Sequence, residues 1–340
     1  MGRLREALGS AESGIAPAVG RLTTGQWLDR WVEEHVEPYR RPRTTESYCD
    51  TVRLYLRPTI GRIPLARLSP DDVAGMLAQI ARQRHISGTT QRYALVVLRI
   101  ALGRAVKLGL VPRNVGAMVN APRKASSQLR PLSAVQIRGF LAATRDDRLG
   151  PLYAVAVGLG MRQGELLALR WDDIDLDGGV VQVRHTLRAG ERVRQKNTPR
   201  QWRLAEPKTE RGRRTLGLPA QVALALREQR ARQARERLAA GPKWQDYNFV
   251  FTTPIGRPMD GVNVTHKFQE ALEAAGLRRQ RFHDLRHAHA TLLIERGVEL
   301  AVVSRALGHA DLSTTADTYG AWTREMAGTV ASRMDEVLAG

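Results

Sequence analysis

From Leu22 to Asn120 the apolar residues return every three or four positions, a period that only a helical chain can turn to one side. Trp27, Trp31 and Val36 form a first stripe, and Tyr48, Val52 and Tyr55 a second. Ser69-Pro70-Asp71-Asp72 predicts a helix start: a Ser N-cap, Pro in the first turn and acids at the positive end of the helix dipole. The buried face of that helix is expected to be Val73, Met76, Leu77 and Ile80. A further helix is predicted over Thr89 to Leu108, with Tyr93, Val96, Val97, Ile100 and Ala101 inward. Residues 22–120 are thus expected to form one all-helical domain, preceded by a loose Gly-, Ala- and Ser-rich arm, residues 1–21.

A polar stretch bracketed by Pro122 and Pro131, residues 121–132, predicts a linker. Ser133-Ala134-Val135-Gln136 has the form of a capping box and opens a second domain, residues 133–325. A helix through Leu152, Val155 and Leu159 should end near Gly160. Val180–Val183 and Arg214–Leu218 read as strands. The predicted fold class is therefore mainly α with a small antiparallel β-sheet, α+β in the second domain. Between the strands, residues 188–214 hold ten Lys or Arg against three Glu, with Trp202 among them. Such a segment is either a solvated loop or one that orders on a phosphate backbone, and the charge of the whole chain favours the second.

The 340 residues carry a net charge of +19, with a pI near 11.1. That excess points to a polyanionic partner, nucleic acid first. Cys49 is the single cysteine, which rules out an internal disulfide and a cysteine metal cluster. No apolar run is long enough for a membrane span, and the N-terminus lacks a signal-peptide core. The expectation is a soluble, cytoplasmic, nucleoid-associated protein with no membrane partner.

The chemistry-bearing residues gather late in the chain: Phe282-His283-Asp284-Leu285-Arg286-His287, then Leu307-Gly308-His309, then Tyr319. A phenol with an ordinary pKa of about 10 is a poor nucleophile near neutrality. Cations that stabilise the phenolate and acid–base groups beside it make it useful. His283 and Arg286 stand three apart, so one helix face can present a phosphate clamp and a proton carrier together. Upstream, Gly160-Met161-Arg162-Gln163-Gly164-Glu165 predicts a tight turn into a helix, anchored by Leu166, Leu169 and Ile174, with Arg162 at the helix start. Glu206-Pro207-Lys208-Thr209-Glu210-Arg211-Gly212 reads as a hairpin turn that would place Lys208 where it can act as a general acid. Taken singly, Arg162 and Lys208 read better as surface charges. His283 and His287 have the spacing of helical metal ligands, but no Glu stands in the intervening turn and no further ligand cluster accompanies them. His287 and His289 also suit a packing role.

Taken together these segments resemble the tyrosine recombinase family, the phage integrase group in particular, over about residues 22–325. The family pattern of Arg, Lys, His-x-x-Arg, His or Trp, and Tyr falls in order on Arg162, Lys208, His283, Arg286, His309 and Tyr319. The resemblance implies a core-binding domain over 22–120 that clamps duplex DNA with a catalytic domain over 133–325. Tyr319 would attack a phosphodiester and form a 3′-phosphotyrosyl bond, with Arg162 and Arg286 as the electrostatic clamp. His309 would donate to the same phosphate, Lys208 would protonate the leaving 5′-oxygen and His283 would act as base or relay. Glu165 and Asp284 would support these groups from behind. No metal and no cofactor is implied. The implied partners are double-stranded attachment sites, three further copies in a homo-tetrameric synapse, and as an addition a directionality factor or DNA-bending host protein. Met326, Val330, Met334 and Val337 predict a C-terminal helix, residues 326–340, that packs on its own domain or docks on a neighbour. Only about 20 residues precede Leu22, too few for the arm-site module of many phage integrases. Two rivals remain at this point. A type IB topoisomerase shares the tyrosine chemistry, and a non-catalytic DNA-binding factor would lack part of the catalytic set.

Overall fold

The computed structural model describes residues 22–83, 86–122, 131–189, 202–206 and 212–308. The chain divides into two compact units, residues 1–128 and 129–340.

In the first unit, α1 (Thr24–His35), α2 (Pro42–Thr51), α3 (Pro70–Arg82) and α4 (Gly88–Lys107) are the main helices. Thr23 and Gln26 cap α1 reciprocally, and Ser69 and Asp72 do the same for α3. Past Thr51 the chain continues through a π-helical turn, Val52–Leu56, into a last turn, Arg57–Ile60. Pro58 has no N–H with which to continue the ordinary ladder, and the Arg57 N–H just before it reaches back five residues to the Val52 carbonyl. Trp27, Leu28, Leu56, Ile60, Met76, Ile80, Leu95 and Leu98 are fully enclosed, and the Trp27 Nε1 donates to the Ala101 carbonyl at 3.2 Å.

The inward face of α4 is only partly the one expected: Val97 and Ala101 are buried as expected. Tyr93, Val96 and Ile100 are exposed, while Ala94, Leu95, Val97, Leu98, Ala101, Leu102 and Ala105 are buried. Residues 93–102 are apolar almost all the way round the helix, so periodicity alone does not choose its phase. The small residues Ala94, Ala101 and Ala105 let neighbouring helices approach closely, and that decides it. Beyond α4, Arg99 holds the outgoing chain by donating to the Gly116 and Val119 carbonyls, at 2.9 and 2.6 Å.

The second unit runs α5 (Ala134–Ala143), α6 (Gly150–Leu159), α7 (Gln163–Leu167), β1 (Ile174–Asp175), β2 (Val180–Val183), β3 (Thr186–Ala189), β4 (Trp202–Ala205), β5 (Arg214–Gly217), α8 (Ala220–Ala240), α9 (Gly261–Ala274), α10 (Asp284–Glu295) and α11 (Leu300–Leu307). Ser133 and Gln136 form the capping box that opens α5. Phe140, Tyr153, Phe268 and Phe282 form an aromatic chain through the core, with Phe268 meeting Phe282 edge-on at 5.4 Å. That contact fixes the chain just ahead of α10. The molecule is mainly helical with small antiparallel sheets, in the order β1-β2-β5 and β3-β4. None of the described helices is long and apolar enough to cross a membrane.

The strand pairing corrects the expected hairpin around Lys208. β4 and β5 do not pair with each other: β5 pairs with β2 (Val183 opposite Arg214) and β4 with β3 (Thr186 opposite Ala205). The four strands are therefore two nested pairs of one ribbon. Arg184 and His185 alone link β2 to β3, while residues 206–213 link β4 to β5 on the returning side. Register here follows which faces must be buried rather than which strands are neighbours in sequence. Of the basic segment, residues 188–189 end β3 and residues 202–205 form β4, while residues 190–201 and 207–211 lie outside the described residues.

Candidate active site

α6 ends at Gly160, whose φ of +57° is a left-handed conformation that costs a side chain strain. A Cβ at Gly160 would stand 2.5 Å from the His289 ring. The Gly160 carbonyl accepts Arg286 Nη1 at 2.8 Å, and the His289 Nδ1 lies 2.8 Å from the Val157 carbonyl. This turn therefore needs glycine for its backbone and for its neighbours at once. Gly160→Ala is expected to destabilise the protein by more than about 1 kcal/mol in equilibrium urea unfolding. Gly179→Ala, at φ +66° with open space around it, should lose only the backbone part. Equal losses at the two positions would refute the packing argument.

Past the turn, Arg162 occupies the N-cap of α7. Its backbone N–H donates to Glu165 Oε2 at 3.0 Å and its Nη1 to Glu165 Oε1 at 2.7 Å. Glu165 is only 3% exposed and meets a second guanidinium, Arg214 Nη2, at 2.9 Å. Burial alone would raise the pKa of this carboxyl, but the charges and hydrogen bonds of Arg214 and Arg162 outweigh it and hold the group below the ordinary value. Gly164 lets α7 lie against β3, since a Cβ there would stand 2.6 Å from Thr186 Oγ1.

Three arginines converge on the end of α11. Arg214 Nε donates to the Ala306 carbonyl at 2.6 Å, Arg286 Nη2 to Leu307 at 2.6 Å, and Arg162 Nη2 to Gly308 at 3.1 Å. Gly308 ends the helix in a left-handed conformation, φ +66°. The last carbonyls of a helix lack helical partners and attract cations, so a guanidinium from each of β5, α10 and the start of α7 has reason to be there. Arg286 is 2% exposed, whereas 40% of the Arg162 side chain is open to solvent. Arg214, at 7% side-chain exposure, is enclosed as well, so the cradle sets two enclosed arginines beside one that faces out.

His283 is the N-cap of α10 and packs edge-on against His287 at 4.9 Å. The chain packed around it, then the positive charges of His287, Arg286 and Arg281, hold its pKa down to about 4 against the opposing pull of Asp284. The residue itself is exposed, which weakens the burial contribution, but the cations act in the same direction. The ring is therefore neutral at pH 7, with one nitrogen unprotonated, although the same cations make it a weak base. Burial likewise lowers His287 and His289. Asp284 receives the Arg281 backbone N–H at 2.8 Å and the Arg281 guanidinium at 2.8 Å, which locks the start of α10.

The structure thus brings Arg162, Glu165 and Arg286 to one place, with His283 and Asp284 one turn earlier on α10. Lys208, His309 and Tyr319 lie outside the described residues. The chain beside Lys208 and His309 reaches the cradle all the same: the Gly212 carbonyl accepts Arg214 Nη1 at 3.1 Å, and Gly308, which accepts Arg162 Nη2, directly precedes His309. Among the described residues no group of three or more His, Cys, Asp or Glu is placed to hold a metal ion. Arg214 is the participant that the sequence reading missed. Strand parity carried the signal, because Arg214 lies two residues before the buried Leu216 and so shares its inward face.

Residues 132–325 match the Phage integrase family, which is more than half of the chain. The chain belongs to that family. An integrase from Streptomyces ambofaciens is 30% identical across 98% of this chain and 85% of its own length. A tyrosine recombinase XerC-like protein from Caldanaerobacter subterraneus is 29% identical across 92% of this chain and 83% of its own. Among solved structures, a Tn1549 transposon integrase in complex with a circular intermediate DNA superposes with a TM-score of 0.78 at 18% identity, covering 92% of this chain and 99% of that one. A lambda integrase dimer bound to a core site gives a TM-score of 0.65 at 18% identity, covering 87% and 95%. At these identities the structural likeness speaks for the fold. This phage integrase family member is a site-specific recombinase of the tyrosine type.

Proposed function

We propose that this integrase cleaves and rejoins duplex DNA at specific attachment sites through a 3′-phosphotyrosyl bond to Tyr319, and so inserts or excises a mobile element. The observation that carries the reading is the convergence of Arg162 and Arg286 on the chain that leads into His309. In the cleavage step the Tyr319 oxygen bonds to phosphorus while the bond from phosphorus to the 5′-oxygen breaks. The phenolic proton passes toward the neutral His283, and Lys208 gives a proton to the departing 5′-oxygen. Negative charge grows on the nonbridging oxygens, where Arg162, Arg286 and a hydrogen bond from His309 act as a fixed clamp. Glu165 keeps Arg162 in place, and Asp284 keeps the start of α10 in place. With these cations the step requires neither metal nor cofactor.

The first unit is proposed as the core-binding domain, which grips the duplex together with the catalytic unit. A lambda integrase tetramer bound to a Holliday junction supports a four-protomer synapse for this chain. Residues 326–340 are proposed as the segment that docks between neighbours, and a directionality factor or DNA-bending protein as an accessory. The net charge of +19 suits a protein held on the nucleoid.

Peptide mapping of the covalent adduct tests the assignment directly. The protein is incubated with a nicked duplex carrying the repeat that flanks its gene, so that the short 5′-hydroxyl piece diffuses away and the adduct accumulates. Digestion and mass spectrometry are expected to find the nucleotide on Tyr319. A nucleotide on any other residue, or no adduct at all, would overturn the reading.

A further inference from the structure

Arg214 is almost wholly enclosed, at 7% side-chain exposure, yet it belongs neither to the apolar core nor to the set of residues proposed to touch DNA. Its three nitrogens reach three parts of the site. Nη2 donates to Glu165 Oε2 at 2.9 Å, Nε to the Ala306 carbonyl at 2.6 Å, and Nη1 to the Gly212 carbonyl at 3.1 Å. Glu165 is the partner of Arg162. Ala306 lies in the last turn of the helix that leads to His309, and Gly212 lies on the connection that carries Lys208.

We propose that Arg214 is a positioning residue for DNA cleavage, which sets Arg162, the Lys208 connection and the exit of α11 in one geometry without touching the phosphate itself. The guanidinium suits this because its donors diverge in one rigid plane, where an ammonium offers a single point. Without it, Glu165 Oε2 keeps only the Arg162 backbone N–H among the described residues. The carboxylate is then free to turn, and Arg162, held through Oε1, turns with it. Displacing a clamp by about 1 Å costs on the order of a hundredfold in rate. Affinity for DNA should hardly change, since Arg214 has almost no exposed surface.

The inference rests on the proposed cleavage reaction, and the test separates the two. Single-turnover adduct formation is measured on the nicked flanking-repeat duplex for the unaltered protein, Arg214→Gln and Arg214→Lys, recording rate constant and amplitude separately, with DNA affinity alongside. A protein that merely folds less well loses amplitude, whereas a displaced clamp loses rate constant. The expectation is a rate constant about 10- to 100-fold lower for Arg214→Gln, a smaller loss for Arg214→Lys, and affinity nearly unchanged for both. If Arg214→Gln does not fold, Arg214→Lys decides. A variant that keeps the rate constant of the unaltered protein and loses only amplitude would overturn the positioning role. If the unaltered protein forms no adduct, the cleavage reading falls, and this inference with it.

Discussion

Glu165→Ala is expected to destabilise the second unit by about 3 to 5 kcal/mol, because it leaves a buried charge without its partner. Glu165 and Arg214 are 3% and 7% exposed, so water cannot replace the lost carboxylate at Arg214. Arg162, at 40% exposure, can rehydrate and should contribute little. A loss of this size is a large fraction of the stability of an ordinary domain. The pH dependence gives an independent reading. The Glu165 pKa lies below the ordinary 4.5, so its contribution is fully present above that value and disappears as pH falls through the folded-state pKa. Glu165→Gln keeps the shape but not the charge. The stability gap between it and the unaltered protein should be constant from neutrality to about pH 5 and should close at lower pH. Urea midpoints across that range measure it. A gap that does not vary with pH, or an alanine variant within about 1 kcal/mol of the unaltered protein, would remove Glu165 from the centre of the arginine cradle.

What the sequence made legible is what local chemistry decides. Gly160 and Gly308 mark helix ends because only glycine enters their backbone region without strain, and Ser69 and Ser133 mark helix starts because their hydroxyls meet orphan N–H groups. Arg162, Glu165 and Arg286 stood out through a motif in chain order, and they do meet in space. Arg214 did not stand out. In a chain so rich in arginine, one more residue in an Arg-Arg pair carries no signal until strand parity shows which of the two points inward. The nested ribbon was hidden for a related reason. β4 and β5 are successive strands, and a turn-like Pro207-Lys208 between them suggests a hairpin, but pairing is decided by long-range burial that neither strand encodes alone. The phase of α4 was legible only in part, at Val97 and Ala101, for the opposite reason: it has too much apolar surface, and only packing against α1–α3 selects the buried part.

Tyr319→Phe is expected to lower covalent adduct formation by at least about 10⁴-fold, the scale on which removing a nucleophile from a working site abolishes its chemistry. The substitution keeps the ring and its packing and removes one oxygen. It leaves Arg162, Arg286 and the basic surface untouched, so affinity for the duplex should stay within about threefold, because phosphate contacts dominate such binding. The contrast with Arg162→Ala is then diagnostic, since that variant loses both a DNA contact and transition-state stabilisation. Water is not expected to replace the phenol. A hydrolase would leave a phosphate monoester and a lasting nick, whereas a phosphotyrosyl bond retains the energy needed for a 5′-hydroxyl to reseal the strand with no external cofactor. Tyr319→Phe should therefore bind its site and leave the DNA intact, with neither adduct nor nick. A nick without an adduct would mean that the arginine cradle activates water. An adduct would move the nucleophile to another residue, and either outcome would end the assignment of Tyr319.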